Sequence, residues 1–171
     1  MIHSTIPILG FAAASGTGKT TLLTQLLPLL KNAGLRVGLI KHSHHDFEID
    51  HVGKDSFELR KAGATPVVLV SKYRRAMIEE FEHQIEPNLT EQIALFNPTE
   101  TDLILVEGFR SEAFAKIELH RAELHKSLLY LNDNHIIAIA TDTVLETHLP
   151  QLNLNQPAEI ADFILHTFLK L

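Results

Sequence analysis

The fold follows from one stretch of sequence, Phe11-Ala12-Ala13-Ala14-Ser15-Gly16-Thr17-Gly18-Lys19-Thr20-Thr21. An apolar run, Ile6 to Ala13, leads into it and predicts a buried strand, and a helical pattern begins near Lys19. A strand, a glycine-rich turn and a helix N-terminus in this order are typical of a phosphate-binding loop. The alternative is a glycine-rich turn that carries a Lys-Thr pair by chance, and the flanking strand and helix disfavour it.

The residue types in this loop suit an anionic ligand. Gly16 and Gly18 let backbone N–H groups approach an anion without obstruction by a Cβ atom, and the helix N-terminus adds N–H donors and a positive dipole end. Lys19 can reach the β- and γ-phosphates, and Thr20 can place its hydroxyl on Mg²⁺. The motif has Gly where this chain has Ala13, the smallest replacement. The predicted nucleotide-binding residues are Ser15, Gly16, Thr17, Gly18, Lys19, Thr20 and Thr21.

The composition is that of a globular protein with a single core. The chain has 171 residues, of which 45% are hydrophobic and 21% are charged, so we predict one domain over residues 1–171. The formal net charge of −6 argues against a nucleic-acid binder that works by bulk electrostatics. The chain has no cysteine, which is compatible with the cytosol. It has no apolar run near 18 residues and no basic segment at its start, so we expect neither a membrane span nor a signal peptide.

Strand and helix patterns alternate along the chain. Because such alternation places helices on both faces of a mostly parallel sheet, we predict an α/β fold, a three-layer sandwich of the P-loop NTPase type. The predicted strands are Ile6–Ala13, Arg36–Lys41, Thr65–Val70, Asp102–Val106, Lys116–His120 and His135–Ala140, with a weaker edge strand at Arg75–Glu80. The predicted helices are Thr20–Ala33, Lys54–Ala62, Leu89–Phe96 and Pro157–Leu169.

Carboxylates that follow predicted strands are the candidate metal ligands, since ligands of open α/β sheets bind at the carboxyl ends of strands. Glu107 ends an apolar strand and is the best candidate for Mg²⁺; the alternative is an ordinary turn residue. Asp46 follows the second strand, and two interpretations of it are equally good, a metal ligand and a solvated loop carboxylate. Asp102 begins its strand and would therefore lie at the opposite edge of the sheet, so we reject it as a metal ligand. The predicted metal ligands are Thr20, Asp46 and Glu107, and the candidate catalytic residues are Lys19, Asp46 and Glu107.

A histidine-rich loop, Lys41-His42-Ser43-His44-His45-Asp46, follows the second strand. Its imidazoles can donate to phosphate or line a mobile loop. A dedicated zinc site is disfavoured, because no partner constellation with zinc spacing accompanies them. Lys41 can lie near the phosphates or be a simple strand-end charge.

Asp142 follows the last core strand and is the candidate for recognition of the base. A carboxylate there can accept hydrogen bonds from N1–H and N2–H₂ of guanine, a pair that adenine does not offer. The usual Asn-Lys-x-Asp guanine motif is absent, because the chain reads Ile139-Ala140-Thr141-Asp142. The alternative, a turn or N-cap aspartate, stays open.

Four blocks together resemble the MobB family, the molybdopterin-guanine dinucleotide biosynthesis adapter proteins. The resemblance runs in order and spacing over nearly the whole chain, and the Lys-His-x-His-His-Asp block is more specific than the phosphate loop. The blocks are Phe11–Leu23, Gly38–Asp46, Gly53–Ala64 and Asp102–Phe109.

The resemblance implies a GTP-binding protein that uses Mg²⁺ and has weak intrinsic GTPase activity, at most on the β-γ phosphoanhydride of GTP. It would assist the molybdenum cofactor guanylyltransferase, the enzyme that joins GMP to molybdopterin, as a homodimer in the cytoplasm. Molybdopterin and molybdopterin-dependent enzymes are further candidate partners. In dethiobiotin synthetase, of the same P-loop branch, a loop hydroxyl and two carboxylates hold Mg²⁺, and Thr20, Asp46 and Glu107 match those positions.

An enzyme on the same fold is the alternative function. A small P-loop kinase or an ATP-dependent ligase of the dethiobiotin-synthetase type would use the same loop and carboxylates, with Arg110 or Arg60 as a phosphate clamp.

Overall fold

The computed structural model describes residue 2, residues 4–43 and residues 45–171. The chain divides into two compact units, one formed by Met1–His42 with Asn88–Leu171 and the other by Ser43–Pro87. The prediction of a single domain over residues 1–171 stays a prediction. No helix in the described ranges is long and apolar enough to cross a membrane.

The element order alternates as the sequence predicts. The strands are β1 Ile8–Ala13, β2 Val37–Lys41, β3 Val67–Val70, β4 Arg75–Ile78, β5 Leu103–Glu107, β6 Lys116–His120, β7 Ile136–Thr141 and β8 Gln151–Asn153. The α-helices are α1 Lys19–Asn32, α2 Asp55–Lys61, α3 Leu89–Ile93 and α4 Pro157–Asp162. A short 3₁₀ helix covers Ala122–Leu124, and α4 continues as a π-helix over Phe163–Phe168.

The first unit is built on a six-stranded sheet in the order β2-β5-β1-β6-β7-β8. Every neighbouring pair is parallel, so all the strands end at the same edge of the sheet. In the middle of the sheet, β1 and β5 are almost wholly buried, as their unbroken apolar runs predict. The register places Glu107 beside Lys41 on one side and beside Phe11 on the other.

Apolar side chains pack on both faces of this sheet. One core includes buried leucines of α1 and Ile160 of α4, and the other includes Leu89 and Ile93 of α3. Gly38 permits the second core to close, because a Cβ atom there would lie 2.4 Å from the Phe96 ring. The predicted sheet with helices on both faces is confirmed.

The second unit contains α2 and the antiparallel hairpin β3–β4. Arg60 of α2 is only 6% exposed, and its guanidinium pairs with Glu48 and Glu80. These two hydrogen-bonded carboxylates raise the pKa of Arg60, and the Arg60 guanidinium lowers the pKa of Glu48. One buried cation therefore ties the loop before α2 to the segment after β4.

Strand β8 is absent from the strands that the sequence predicts. It is three residues long and lies at the edge of the sheet, paired only with β7 in the described structure. Its Gln-Leu-Asn sequence carries a single apolar side chain, which is too short a pattern to predict a strand, and the pairing with β7 makes it one. The helix predicted over Leu89–Phe96 is shorter, ending at Ile93, because Ala94–Phe96 form turns.

Candidate nucleotide-binding site

The phosphate loop adopts the predicted strand–loop–helix geometry. Gly16 and Gly18 have φ values of 82° and 93°, a backbone region that residues with a Cβ atom rarely adopt. Thr17 is 2% exposed, and its hydroxyl donates to the Ala14 carbonyl at 2.8 Å, which closes the turn. Gly18 is the N-cap of α1, so the free N–H groups of the first helical turn follow the loop directly.

A carboxylate stands between two ammonium groups at the carboxyl edge of the sheet. Lys19 Nζ lies 3.4 Å from Glu107 Oε1, and Lys41 Nζ lies 3.7 Å from Glu107 Oε2. The side chains of Lys19 and Glu107 are only 17% and 16% exposed. The structure thus brings together the phosphate-loop lysine and the strand-end carboxylate that the sequence singles out, and adds Lys41.

The oxygen donors of the first unit suit Mg²⁺. Thr20 offers an exposed hydroxyl and Glu107 a carboxylate, and Mg²⁺ is commonly held by one or two carboxylates together with phosphate oxygens and waters. Within the described residues, no three or more His, Asp or Glu side chains are placed to hold a metal ion by themselves. A magnesium ion here would therefore depend on nucleotide oxygens and water for most of its ligands.

Two arginines hold backbone carbonyls of the phosphate loop. Arg110, a candidate phosphate clamp, donates from Nη2 to the Ala13 carbonyl. Arg121 donates from Nε to the Thr17 carbonyl at 3.1 Å. The sequence patterns did not single out Arg121, although it directly follows β6 and the strand-end rule that selected Lys41 and Glu107 would have found it.

Asp142 lies beside the same arginine. Its Oδ1 accepts from the Ala122 N–H at 3.0 Å, and its Oδ2 lies 3.5 Å from Arg121 Nη1. The side chain is 21% exposed. The carboxylate is therefore oriented by the chain around it, and its role as the reader of the base stays a prediction.

His42 packs against the strand-end turn at Glu107. Its ring stacks on Phe109 with centroids 4.6 Å apart, and its backbone N–H donates to the Glu107 carbonyl at 2.8 Å. Gly108, with a φ of 102°, makes this approach possible, because a Cβ atom there would lie 2.5 Å from the Cβ of His42. His42 thus has a packing role in the first unit.

The other residues predicted around this loop belong to the second unit. Asp46 and His45 are exposed there, and His44 lies outside the described residues. The prediction that Asp46 joins Glu107 at the metal stays a prediction. Arg60, the other candidate clamp, is already engaged by Glu48 and Glu80 within that unit.

Comparison with known proteins decides the family. The family model for molybdopterin guanine dinucleotide synthesis protein B, MobB, matches residues 8–142. The chain belongs to the MobB family. The molybdopterin-guanine dinucleotide biosynthesis adapter protein of Escherichia coli K12 is 46% identical to it over 160 residues, which are 93% of this chain and 91% of that protein. The adapter protein of the same name from Haemophilus influenzae is 42% identical over 170 residues, 98% of this chain and 94% of that protein.

Solved MobB structures share the architecture. The crystal structure of Bacillus subtilis MobB superposes with a TM-score of 0.73 at 25% identity and covers 93% of this chain and 96% of its own. A second structure, of molybdopterin-guanine biosynthesis protein B, superposes with a TM-score of 0.71 at 25% identity and covers 92% of this chain and 97% of its own. The predicted MobB resemblance and the predicted fold class are both confirmed.

Proposed function

We propose that this MobB-family protein binds GTP with Mg²⁺ at its phosphate loop and acts in the cytoplasm as an adapter for the guanylyltransferase that makes molybdopterin guanine dinucleotide. The observation that carries the proposal is the Lys19–Glu107 pair at the mouth of a phosphate loop, in a chain whose relatives are named as adapters of this biosynthesis. Molybdopterin and molybdopterin-dependent enzymes are further candidate partners.

The residues around the loop have distinct roles in this proposal. The N–H groups of residues 15–21 and the Lys19 ammonium bind phosphate oxygens, and Lys19 leaves its contact with Glu107 to do so. Bound Mg²⁺ neutralises charge on the β- and γ-phosphates, and Thr20 with Glu107 and Asp46 would hold it. Glu107 retains Lys41 as a counter-charge when Lys19 moves to the phosphates.

We propose that the intrinsic GTPase activity is weak because the two arginines near the loop are engaged with its backbone. Catalysis of phosphoryl transfer depends on positioning and on cations aimed at the transferring group. Arg110 and Arg121 both donate to backbone carbonyls of the loop. We propose that Asp46 supports the slow hydrolysis as a magnesium ligand. An Asp46→Ala protein that hydrolyses GTP at the wild-type rate would remove Asp46 from the site.

We further propose a homodimer joined through the β3–β4 hairpin. Val68 and Met77 face each other across the hairpin and are both 53% exposed, with Val70 on the same face 76% exposed. A two-stranded ribbon with an exposed apolar face is marginal by itself, so a second copy that covers the face would stabilise it. The turn carries Lys72 and Arg74, and β4 begins with Arg75. Glu79 and Glu82 follow β4 at the other end of the hairpin, so an antiparallel pair of hairpins would place charges of opposite sign together.

The homodimer is tested by the mass of the particle in solution. We expect Met77→Glu to shift it from two chains to one in multi-angle light scattering. Val144→Glu, which alters a valine 91% exposed in the first unit, is the matched control and should leave the dimer intact. A monomeric wild-type protein, or a dimer in the Met77 variant, contradicts the proposal.

Nucleotide binding and the adapter role are tested separately. Calorimetry with GTP and Mg²⁺ should show binding that Lys19→Met abolishes and that the control Lys31→Met, at the far end of the same helix, preserves. Added to a purified guanylyltransferase with GTP and molybdopterin, the wild-type protein should raise the yield of the dinucleotide and the Lys19 variant should not. A preference for ATP, with phosphorylation or ligation of an acceptor, would instead favour the kinase or ligase alternative.

A further inference from the structure

Arg121 contacts three segments that are far apart in the sequence. Its Nε donates to the Thr17 carbonyl at 3.1 Å, its Nη2 donates to Asn155 Oδ1 at 3.2 Å, and its Nη1 lies 3.5 Å from Asp142 Oδ2. The side chain is 27% exposed. One planar guanidinium therefore joins the phosphate loop to the segments that follow β7 and β8.

The contact with Thr17 has a consequence for the phosphate loop. A trans peptide is planar, so its C=O and N–H bonds point in opposite directions. A donor that fixes the Thr17 carbonyl therefore also fixes the direction of the Gly18 N–H, which belongs to the same peptide. The Arg121 guanidinium lies close to this peptide, since a Cβ atom on Gly18 would be 3.9 Å from its Nε and Nη2.

Arg110 makes the corresponding contact at the other end of the loop. Its bond to the Ala13 carbonyl fixes the direction of the Ala14 N–H in the same way. Between the two arginines, the Ala14 carbonyl accepts the Thr17 hydroxyl at 2.8 Å. The peptides before Ala14, Ser15 and Gly18 are thus all held through their carbonyl oxygens. Without such contacts, Gly16 and Gly18 would leave the loop more conformational freedom than other residues would.

We propose that Arg110 and Arg121 are positioning residues which hold the phosphate loop by its carbonyl oxygens and so aim its N–H groups at the phosphates, with Arg121 anchored by Asp142 and Asn155. The inference rests on the proposed nucleotide binding at this loop. It gives Arg121 a geometric role in affinity, distinct from that of a positive charge near the ligand. Lysine cannot reproduce this role, because its ammonium lacks the planar fork that reaches three acceptors.

The test uses two ligands that share only their phosphate chain, GTP and inorganic tripolyphosphate, each with Mg²⁺. We expect Arg121→Ala to weaken both by a similar factor, on the order of tenfold, the scale of one hydrogen bond to a charged group. Arg121→Lys should be impaired to nearly the same degree at every salt concentration. Arg36→Ala, which removes an exposed arginine paired with Asp102 at the opposite edge of the sheet, is the matched control and should bind both ligands normally.

A second readout does not depend on ligand binding. Amide NMR relaxation of the nucleotide-free protein should show increased motion of Gly16 and Gly18 in Arg121→Ala and Arg121→Lys, and unchanged motion in Arg36→Ala. If the alanine variant does not fold, the lysine variant carries both measurements, because it keeps the charge and much of the aliphatic stem.

The outcomes separate this inference from the proposed function. If wild-type protein binds neither GTP nor tripolyphosphate, the proposed function itself fails. If the wild type binds both and Arg121→Lys matches it in affinity and loop motion, Arg121 acts only as a charge and the inference is wrong. A loss of GTP affinity with normal tripolyphosphate affinity would also overturn it, because the effect would then lie at the base.

Discussion

Replacing Asp142 by asparagine is the sharpest test of how the base is recognised. The substitution is nearly isosteric but turns one acceptor oxygen into an N–H₂ donor. The Ala122 N–H, now 3.0 Å from Oδ1, favours keeping the remaining oxygen on its side. The new amide group then faces Arg121 Nη1, 3.5 Å from the present Oδ2, and two donors cannot bond to each other.

The expected loss of GTP affinity follows from this geometry. If the carboxylate accepts N1–H and N2–H of guanine, the variant keeps one acceptor and sets a donor against the other guanine N–H. A hydrogen bond to a charged group contributes about 1.5–3 kcal/mol. Because the Asp142 side chain is only 21% exposed, we expect a loss of about 2–3 kcal/mol in the free energy of GTP binding. This corresponds to a rise of roughly 30- to 150-fold in the dissociation constant.

The assay is a competition series with GTP, XTP, ATP and tripolyphosphate in the presence of Mg²⁺. Xanthine carries a carbonyl oxygen where guanine has its amino group, so Asp142→Asn should prefer XTP to GTP, the reverse of the wild type. ATP and tripolyphosphate should each lose only a small and shared factor in affinity, because the variant weakens one anchor of Arg121 but leaves its bonds to the Thr17 carbonyl and to Asn155. Asp162→Asn, which removes an exposed carboxylate elsewhere in the same unit, controls for the change in net charge.

Two results would refute the reasoning. An unchanged affinity for GTP would show that Asp142 does not contact the base. An equal loss for GTP, XTP and tripolyphosphate would show that Asp142 acts through Arg121 on the phosphate loop, as an anchor and not as a reader of guanine.

Three further predictions concern stability. Glu118 is 1% exposed, and its carboxylate accepts hydrogen bonds from the Leu129 and Tyr130 N–H groups at 2.8 Å each. Glu118→Gln should therefore lower the free energy of unfolding, measured by urea titration, by about 2–3 kcal/mol, and an unchanged midpoint would contradict this. Gly108→Ala would place a Cβ atom 2.5 Å from the Cβ of His42 on a residue whose φ is 102°, so it should lower the free energy of unfolding by about 1–3 kcal/mol and lower Tm. Gly53→Ala has a similar φ but open space around it, so it should cost less stability. Hydrogen bonds from Arg36 lower the pKa of Asp102 to about 2, below its value in the unfolded chain; this pair therefore stabilises the fold above about pH 4 and ceases to do so as the pH falls towards 2. The stability difference between wild type and Asp102→Asn in urea should shrink over that range, and a constant difference would show that the ion pair is not its source.

The sequence alone determined the phosphate loop, because its parts are contiguous. Gly16 and Gly18 supply the positive φ values, and the apolar strand before them and the helix after them are readable from a dozen residues on either side. Parallel strands all end at one edge, so the order of residues along β5 is enough to assign Glu107 to the same edge as the loop and Asp102 to the opposite edge. The family resemblance was readable for the same reason, since it rests on short contiguous blocks.

Contacts between distant segments were decided only by the tertiary structure. The acceptors of Arg121 lie 104, 21 and 34 residues away along the chain, and no spacing rule connects them. Strand β8 exists because β7 offers a free edge, and Arg60 is buried because Glu48 and Glu80 converge on it. Local sequence sets the backbone conformation of a loop, while the orientation of a peptide or the burial of a charge depends on partners that only the folded chain brings within hydrogen-bonding distance.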